Sequence, residues 1–340
     1  MRMSVTIKDV AREANVSVAT VSRALNGHAN VTVELRGRIR EVAARLRYMP
    51  HGAARSLITR RTQTIGAILP DLYGEFFSEL MRGMDTATRE HNLHLLVSSS
   101  HGSAAETADA LRALSGRVDG LLVMSPHADA RLLAENLPPA IPTVLMNTRA
   151  DDGDYHTLAI DNHGGARAMV EHLLARGHRS IAMIAGPADN FDAEERLRGV
   201  REVLASRPDA QLHLLRGDFS EKSGYLAGIE INRMAKRPDA VFAANDMMAL
   251  GCLFALNVAG VSVPGDIALA GFDDIPMARF VTPPLTTMRV NIAELGERAA
   301  RTLIATLAGD DAAPHGITAP ELIVRDSCGP PRRRKPSAPR

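Results

Sequence analysis

The 340-residue chain contains only two cysteines, Cys252 and Cys328, which stand far apart in the sequence. Two isolated cysteines do not build the disulfide framework that is typical of a small secreted protein. No apolar run approaches the roughly 18 residues that a membrane-spanning helix needs. Residues 1–30 also lack the apolar segment of an export signal. The sequence therefore predicts a cytoplasmic protein that contacts no membrane, and it disfavours an exported solute-binding protein.

Common enzyme signatures are absent as well. No G-x-G-x-x-G follows a predicted strand, and neither a Walker Gly-Lys-Ser/Thr nor a nucleophile elbow occurs. His163, His172 and His178 lie close together in the sequence, but no cysteine or carboxylate spacing around them indicates a zinc site. We therefore predict no catalytic activity, no cofactor and no metal site.

Charge is distributed unevenly along the chain. Residues 1–61 contain twelve Lys and Arg against four acidic residues, a formal charge of +8. The whole chain carries only +1, so residues 62–340 carry −7. A basic segment attached to an acidic body is typical of a nucleic-acid-binding protein. A small helical bundle with a solvated basic face would have the same charge, so the charge alone does not decide between them.

Three short segments near the N-terminus have the apolar spacing of helices. One face of the first segment collects Ile7, Val10, Ala11 and Ala14. Thr6 and Asp9 form a Thr-x-x-Asp capping pattern at its start. Ser17 can cap a second helix, and Thr32 begins a third. The turn between the first two falls at Asn15, a residue that tolerates left-handed backbone. This arrangement predicts a helix-turn-helix.

After Thr62 the pattern changes to alternating strands and helices. Short apolar runs at 65–69, 93–97, 120–123 and 143–145 are separated by longer amphipathic stretches, and the alternation continues to about residue 271. Strict alternation predicts parallel sheets covered by helices on both faces. Because about 270 residues are more than a single hydrophobic core usually accommodates, two α/β halves are expected.

The N-terminal segment resembles the head of the LacI/GalR family of bacterial transcription regulators. The resemblance rests on two phrases, Val5-Thr6-Ile7-Lys8-Asp9-Val10-Ala11 and Val16-Ser17-Val18-Ala19-Thr20-Val21-Ser22-Arg23-Ala24-Leu25-Asn26. Similar phrases recur later, such as Ala244-Asn245-Asp246 and Gly271-Phe272-Asp273-Asp274, so the resemblance covers residues 5–326. It implies an α/β fold class with an all-α helix-turn-helix head, a hinge helix and a two-lobed, periplasmic-binding-protein-like body of parallel sheets.

The resemblance also implies domain boundaries, because in this family the chain crosses between the two lobes. A helix-turn-helix domain is expected at 1–49 and a hinge helix at 50–61. The expected N-subdomain of the body is 62–161 with 291–318, and the C-subdomain is 162–290 with 319–328. Residues 329–340 are rich in proline and basic residues, a composition that predicts a disordered tail.

Roles in DNA binding follow from the same resemblance. The residues expected to contact base edges are Val18, Ala19 and Arg23. Leu57 is expected to insert into the minor groove as an apolar wedge. Phosphates are expected to meet Thr6, Ser17, Thr20, Ser22 and Asn26. The expected hinge residues are Ala54, Arg55 and Ser56. Arginine can pair with guanine through two hydrogen bonds, and small apolar side chains can contact a thymine methyl group.

Candidate effector contacts lie just after predicted strand ends, where open parallel sheets bind ligands. The resemblance selects Phe76, Phe77, Asn147, Asp161, Asn190, Asp192, Arg196, Phe219, Asn245 and Asp273. An aromatic platform with short polar side chains suits a polyhydroxyl ligand. Structural alternatives exist: one of the two phenylalanines can belong to the core, Asp161 can be a helix cap, and Arg196 can be a surface charge.

We therefore expect a ligand-responsive, sequence-specific DNA-binding regulator, a repressor of a carbohydrate-utilisation operon whose sugar effector binds between the lobes. The absence of a leucine heptad at the C-terminus predicts a homodimer, which should bind a palindromic operator. Two alternatives within the family are a purine- or nucleoside-responsive regulator and one that depends on a phosphocarrier protein. A sugar-binding protein or an enzyme built on the body is the alternative from another class.

Overall fold

The computed structural model describes residues 5–25, 30–48, 61–128, 130–148, 155–310 and 315–329. The chain divides into two compact units, Met1–Thr62 and Gln63–Arg340, which are called the head and the body below. Several predicted features lie outside the described residues. These are the phosphate contact Asn26, the hinge residues Ala54, Arg55 and Ser56, the wedge Leu57 and the tail from residue 330 onward.

The head consists of three helices, α1 (Ile7–Glu13), α2 (Val18–Leu25) and α3 (Val33–Arg45). The Asp9 carboxylate accepts hydrogen bonds from the backbone N–H and the hydroxyl of Thr6. The Ser17 hydroxyl caps α2 by accepting from the Thr20 N–H, and Thr32 caps α3 in the same way. Asn15, between α1 and α2, has a φ of 51°. Local capping chemistry therefore sets the boundaries of the helix-turn-helix, and its core is Val10, Ala11, Ala14, Val21, Ala24, Val31, Ile39, Val42 and Ala43.

The body alternates strands and helices. Its first part is β1 (Thr64–Leu69), α4 (Glu75–Glu90), β2 (His94–Ser99), α5 (Ala104–Leu114), β3 (Gly120–Met124), α6 (Ala130–Asn136), β4 (Thr143–Met146) and β5 (His156–Ile160). Next are α7 (Asn162–Ala175), β6 (Ser180–Ile184), α8 (Phe191–Ala205), β7 (Gln211–Leu215), α9 (Glu221–Arg233), β8 (Ala240–Ala243), α10 (Asp246–Val258) and β9 (Ala268–Ala270). The last are β10 (Thr287–Arg289), α11 (Ile292–Ala308), β11 (His315–Thr318) and β12 (Glu321–Ile323). No helix within the described ranges is long and apolar enough to cross a membrane.

The first lobe is built on a parallel sheet of order β11-β5-β4-β3-β1-β2. Side chains of β3 alternate between two cores: Leu122 packs on the side of α4 and α11, and Leu121 packs on the side of α5 and α6. Helices therefore cover both faces of the sheet, as the uninterrupted apolar runs predict. The strand β5 does not appear among those runs, because its sequence begins with the polar pair His156-Thr157.

The second lobe is built on a parallel sheet of order β7-β6-β8-β9. The chain enters it after β5, returns to the first lobe with α11 and β11, and then enters it again with β12, which pairs antiparallel with β10. The hydroxyl of Ser327 donates to the carbonyl of Leu269 at 2.6 Å, so this last segment is anchored on β9. The body is thus a two-lobed α/β unit joined by several crossing segments.

The helices α4 and α11 approach each other closely at two glycines. A Cβ on Gly83 would collide with the carbonyl oxygen of Ala293, and one on Gly296 would collide with the carbonyl oxygen of Leu80. Both obstacles are backbone atoms, which cannot move aside as a flexible side chain would. The absence of side chains at these positions therefore sets the distance between the two helices.

Replacing Gly83 with alanine is expected to reduce the free energy of unfolding of the body by about 1–3 kcal/mol, the usual cost of overpacking. Gly37 in α3 is the control, because a Cβ there would meet nothing within 4 Å. Gly37→Ala should stabilise the head by about 0.5–1 kcal/mol, since alanine is the better helix former. Urea unfolding monitored by circular dichroism measures both. An unchanged urea midpoint for Gly83→Ala would show that α4 and α11 can move apart without a loss of stability.

Candidate functional site

A cleft lies between the two lobes of the body, at the carboxyl ends of the strands, where open parallel sheets bind ligands. The first lobe contributes apolar side chains at the carboxyl ends of β1 and β3 and from the first turn of α4. The second lobe contributes the five polar side chains of the lining, from α8 and its cap, from the cap of α10 and from the segment after β9. The lining residues are Pro70, Phe76, Phe77, Met124, Pro126, Asn190, Asp192, Arg196, Phe219, Asn245 and Asp273.

The aromatic part of the cleft is a set of three phenylalanines. Phe76 and Phe77 meet edge to face, with ring centroids 5.3 Å apart. Phe219 has a φ of 69°, and its carbonyl accepts a hydrogen bond from the Asn245 amide at 3.0 Å. A Cβ on Gly186 would overlap the Phe219 ring, so the glycine makes room for that ring. These rings form an apolar wall on which a sugar ring can stack.

Arg196 is the central cation of the cleft, and its side chain is only 4% exposed. Its Nε donates to the Asn162 side-chain oxygen at 2.7 Å, one terminal nitrogen donates to the Ala244 carbonyl, and the other lies 3.4 Å from Asp273. The guanidinium carbon lies 3.8 Å from the ring centroid of Phe272, a cation–π contact. The alternative of a surface charge is therefore wrong for this residue, because Arg196 is buried and paired within the cleft.

Asp192 connects the two lobes through a pair of amides. Its carboxylate accepts from the Asn162 amide at 2.9 Å and from the Asn147 amide at 3.2 Å. Asn147 follows β4 in the first lobe, and its own oxygen accepts from the Ile160 N–H at 3.1 Å. Asp192 lies in the first turn of α8 in the second lobe. A ligand that contacts Asp192 would therefore act on a junction between the lobes.

Burial raises the pKa values of both cleft carboxyls. The pKa of Asp192 rises to about 6 because the group loses its hydration, although Arg196 and the two amides oppose the shift. The pKa of Asp273 rises to about 7 for the same reason, again opposed by Arg196 and reinforced by the charge of Asp192. Both groups thus bind protons more tightly in the folded chain than in the unfolded chain, where aspartate titrates near 3.9.

The ligand-free protein should consequently lose stability as the pH rises from about 5 to about 8, by on the order of 3 kcal/mol. The sign follows from the raised pKa values: the stabilising protons are bound below pH 6–7 and lost above it. The lowered pKa of His172, caused chiefly by burial, acts in the opposite sense. Urea unfolding at both pH values, compared with Asp273→Asn, isolates the carboxyl contribution. If the variant has the same slope as the wild type, Asp273 does not titrate in this range.

Eight of the predicted effector residues line the cleft: Phe76, Phe77, Asn190, Asp192, Arg196, Phe219, Asn245 and Asp273. Asn147 lies behind this lining, where it supports Asp192. Asp161 also lies outside the lining, and its carboxylate caps α7 by accepting from the Gly164 N–H at 2.8 Å. Asn190 and Asn245 cap α8 and α10 in addition to facing the cleft. An effector contact remains a prediction for each of the ten.

Several residues of the cleft were not predicted. Pro70, Met124 and Pro126 follow or end the strands β1 and β3, so the rule that ligands bind at carboxyl strand ends could have identified them. Asn162 and Phe272, which hold Arg196 in place, follow the strands β5 and β9 in the same way. Their importance comes from contacts with a residue that is distant in the sequence.

The second helix of the head presents a solvent-exposed face. Val18, Ala19 and Arg23, the predicted base-contacting residues, are all exposed, and Val18 is 40% exposed although it is apolar. Val21 and Ala24 on the opposite face are fully buried. The predicted phosphate contacts Thr6 and Ser17 are exposed, and Thr20 and Ser22 are half-buried. The helix therefore offers the predicted DNA-reading residues to solvent, and these roles remain predictions.

Both the head and the body of the chain are similar to known proteins. Residues 6–51 match the profile of bacterial regulatory proteins of the lacI family, and residues 170–328 match the periplasmic binding protein-like domain. The chain is 36% identical to the ribose operon repressor of Escherichia coli (strain K12) over 324 residues, which cover 93% of this chain and 94% of that repressor. The chain belongs to the LacI family. It is therefore a family member along its length, with the family's DNA-binding and ligand-binding parts on one polypeptide.

Solved structures of LacI-family proteins have the same fold. A lac repressor dimer bound to operator and the anti-inducer ONPF aligns with a TM-score of 0.84 and 27% identity, covering 96% of this chain and 100% of that one. A LacI family transcriptional regulator from Enterococcus faecium with bound ribose aligns with a TM-score of 0.70 and 28% identity, covering 78% of this chain and 99% of that one. The expected fold class, a helix-turn-helix head and a two-lobed body with parallel sheets, is thus confirmed.

Proposed function

We propose that this LacI-family protein represses a carbohydrate-utilisation operon and responds to a sugar that binds in the cleft. The observation that carries the proposal is the cleft itself, whose lining combines Phe76 and Phe77 of the first lobe with Phe219, Arg196 and Asp273 of the second. The similarity to a ribose operon repressor and to a regulator with bound ribose supports a pentose. A regulator of this kind acts on DNA in the cytoplasm and needs no catalytic residues.

Contacts between the lobes indicate how a ligand would act. The Tyr73 hydroxyl donates to the Glu221 carboxylate, the Met277 N–H donates to Glu75 at 2.8 Å, and Asn147 donates to Asp192 at 3.2 Å. Each of these hydrogen bonds joins the first lobe to the second. A ligand held by side chains of both lobes would shift the balance of these contacts, because it favours the arrangement that it binds best.

The coupling to DNA binding passes through the relative orientation of the lobes. A change in that orientation would alter the register of the hinge segments in a dimer, and with it the cost of seating Leu57 in the minor groove. Coupling free energies of about 1–3 kcal/mol are usual for such linkage. The direction of the response, release or tightening, follows from which lobe arrangement the operator-bound dimer prefers.

The experiment that tests the proposal is selection of operator sequences from a random duplex library by the full-length protein, with and without D-ribose and related sugars. The expected product is a palindrome, because a two-fold protein matches two-fold DNA. Its affinity should change about fivefold or more when the correct sugar is present. Recovery of no preferred sequence under any condition would refute the proposal.

An exposed apolar surface on the body supports a homodimer. Phe254 on α10 is 62% exposed, and its ring lies 5.8 Å from that of Tyr225 on α9. Tyr73 is 62% exposed and Met277 is 43% exposed on the same surface. Large exposed apolar patches mark interaction sites. We assign a second copy of the chain as the partner, in line with the lac repressor dimer that the chain resembles.

Replacing Phe254 with alanine should weaken this dimer about tenfold, the effect of losing a central aromatic anchor. Leu214, which is 48% exposed on β7, is the control, and Leu214→Ala should leave the dimer unchanged. Sedimentation equilibrium of both variants over a range of concentrations measures the dissociation constants. Equal dissociation constants for Phe254→Ala and the wild type would place the interface elsewhere.

A further inference from the structure

The cleft has an uneven balance of formal charge. Among the residues that line it, Asp192 and Asp273 are acidic, Arg196 is basic and the remaining eight are uncharged. The two carboxyl groups and the guanidinium are each at least 94% buried. With both carboxyls ionised, the three groups sum to −1. A ligand that enters the cleft therefore meets more negative than positive charge.

Arg196 cannot readily compensate a second anion. Its Nε–H and one terminal N–H are committed to the oxygens of Asn162 and Ala244, and its second terminal nitrogen faces Asp273. One face of the guanidinium is covered by Phe272 at 3.8 Å. Arginine recognises phosphate best through a free, bidentate fork. Here three of the five N–H groups of the guanidinium are already directed at groups of the protein itself.

Two helices begin at the cleft, and their N-termini would ordinarily favour an anion. The terminus of α8 is already compensated by Asp192 in its first turn, whereas burial raises the pKa of Asp246, in the first turn of α10, well above its ordinary value. A helix terminus corresponds to about half a positive charge, whereas each carboxylate carries a full negative charge when ionised. The side chains of Asn190 and Asn245 also occupy N–H groups at these termini. At α8 the ionised Asp192 therefore outweighs the helix dipole, and at α10 the Asn245 cap already uses one of the N–H groups that an anion would need.

From this balance we propose that the cleft selects an uncharged, unphosphorylated sugar and rejects the phosphate ester of the same sugar. The inference rests on the proposed sugar response and specifies its ligand class. Hydroxyl groups of a neutral sugar can donate to Asp192 and Asp273, and the apolar face of its ring can stack on Phe76 or Phe219. A phosphate would have to lose its hydration beside two buried carboxylates, which is a repulsive element against the wrong ligand.

The test is isothermal titration calorimetry of the full-length protein at about pH 8, above the pKa of about 7 of Asp273. Matched pairs are titrated: D-ribose with D-ribose 5-phosphate, and D-glucose with D-glucose 6-phosphate. The neutral member of a pair should bind, and its phosphate should bind at least about a hundredfold more weakly. A phosphate that binds as tightly as its parent sugar would overturn the inference and leave the proposed sugar response intact. Failure of every sugar and every phosphate to bind would overturn both.

Charge-neutral variants separate electrostatic rejection from simple lack of space. Asp192→Asn and Asp273→Asn each remove one negative charge with almost no change of volume, so each should narrow the affinity ratio of sugar to phosphate about tenfold. Asp85→Asn, on the exposed surface of α4, makes the same change in net charge and should leave the ratio unchanged. If the ratio stays constant in both cleft variants, rejection is steric and the electrostatic inference is wrong.

Discussion

Replacing Arg23 with alanine is expected to weaken binding to the selected operator about a hundredfold while changing binding to random DNA by less than about threefold. A bidentate arginine–guanine contact contributes about 1–3 kcal/mol of discrimination between bases. Arg23 lies on the exposed face of α2, and the buried Val21 and Ala24 hold the opposite face in the head core. Removal of the side chain should therefore leave the head folded.

Fluorescence anisotropy with the operator duplex and with a random duplex measures both affinities. Arg40→Ala is the matched control, because Arg40 is an exposed arginine of α3 and its loss removes the same charge. That variant should weaken binding to both duplexes by similar factors, as sequence-independent electrostatics requires. Equal losses for Arg23→Ala on the two duplexes would contradict a base-reading role.

Replacing Asp273 with alanine is expected to abolish the response to the effector and to leave operator binding without effector unchanged. Asp273 lines the cleft, is 4% exposed and is held at a φ of 118° beside Arg196. A site built to accept a ligand hydroxyl loses on the order of a hundredfold or more in affinity when its acceptor is removed. Arg196 keeps Asp192 as a counter-charge, so the variant buries no net charge.

The measurement is a titration of the preformed operator complex with the effector identified for the wild type. Asp109→Ala, which removes an exposed aspartate of α5, is the control and should respond like the wild type. An Asp273→Ala protein whose operator affinity still shifts at the wild-type effector concentration would remove this residue from the ligand site. Loss of operator binding without effector would indicate that Asp273 supports the fold instead.

Local features of the fold are readable in the sequence. Thr6, Ser17 and Thr32 begin the head helices because each finds a partner three residues away: Thr6 donates to the Asp9 carboxylate, and the hydroxyls of Ser17 and Thr32 accept from backbone N–H groups. The buried strands of the body are short apolar runs because helices cover both faces of each sheet. The strand β5 cannot be predicted in this way because its first two residues are polar.

The position of the ligand site can also be predicted in part from the sequence. Parallel strands bring their carboxyl ends to one edge, so polar or aromatic residues just after strands are candidates wherever the strands pair. That rule, with the family resemblance, selected Asn245 and Asp273, and the resemblance alone selected Arg196; the structure places all three in one cleft. The resemblance alone also selected Asp161, which the fold uses to cap α7, since residues after a strand often begin the next helix.

What the sequence by itself determined is most of the helices and strands, the basic head and the residues available to a ligand, since these depend on neighbours within a few positions. Only the tertiary structure decided which of those residues meet. Asn147 joins Asp192 from 45 positions away, and Arg196 joins Asp273 from 77 positions away. Such contacts depend on how strands of two sheets are ordered and on where the chain crosses between lobes. Neither property has a periodic signal along the chain, because pairing between distant segments is settled by packing of the whole core.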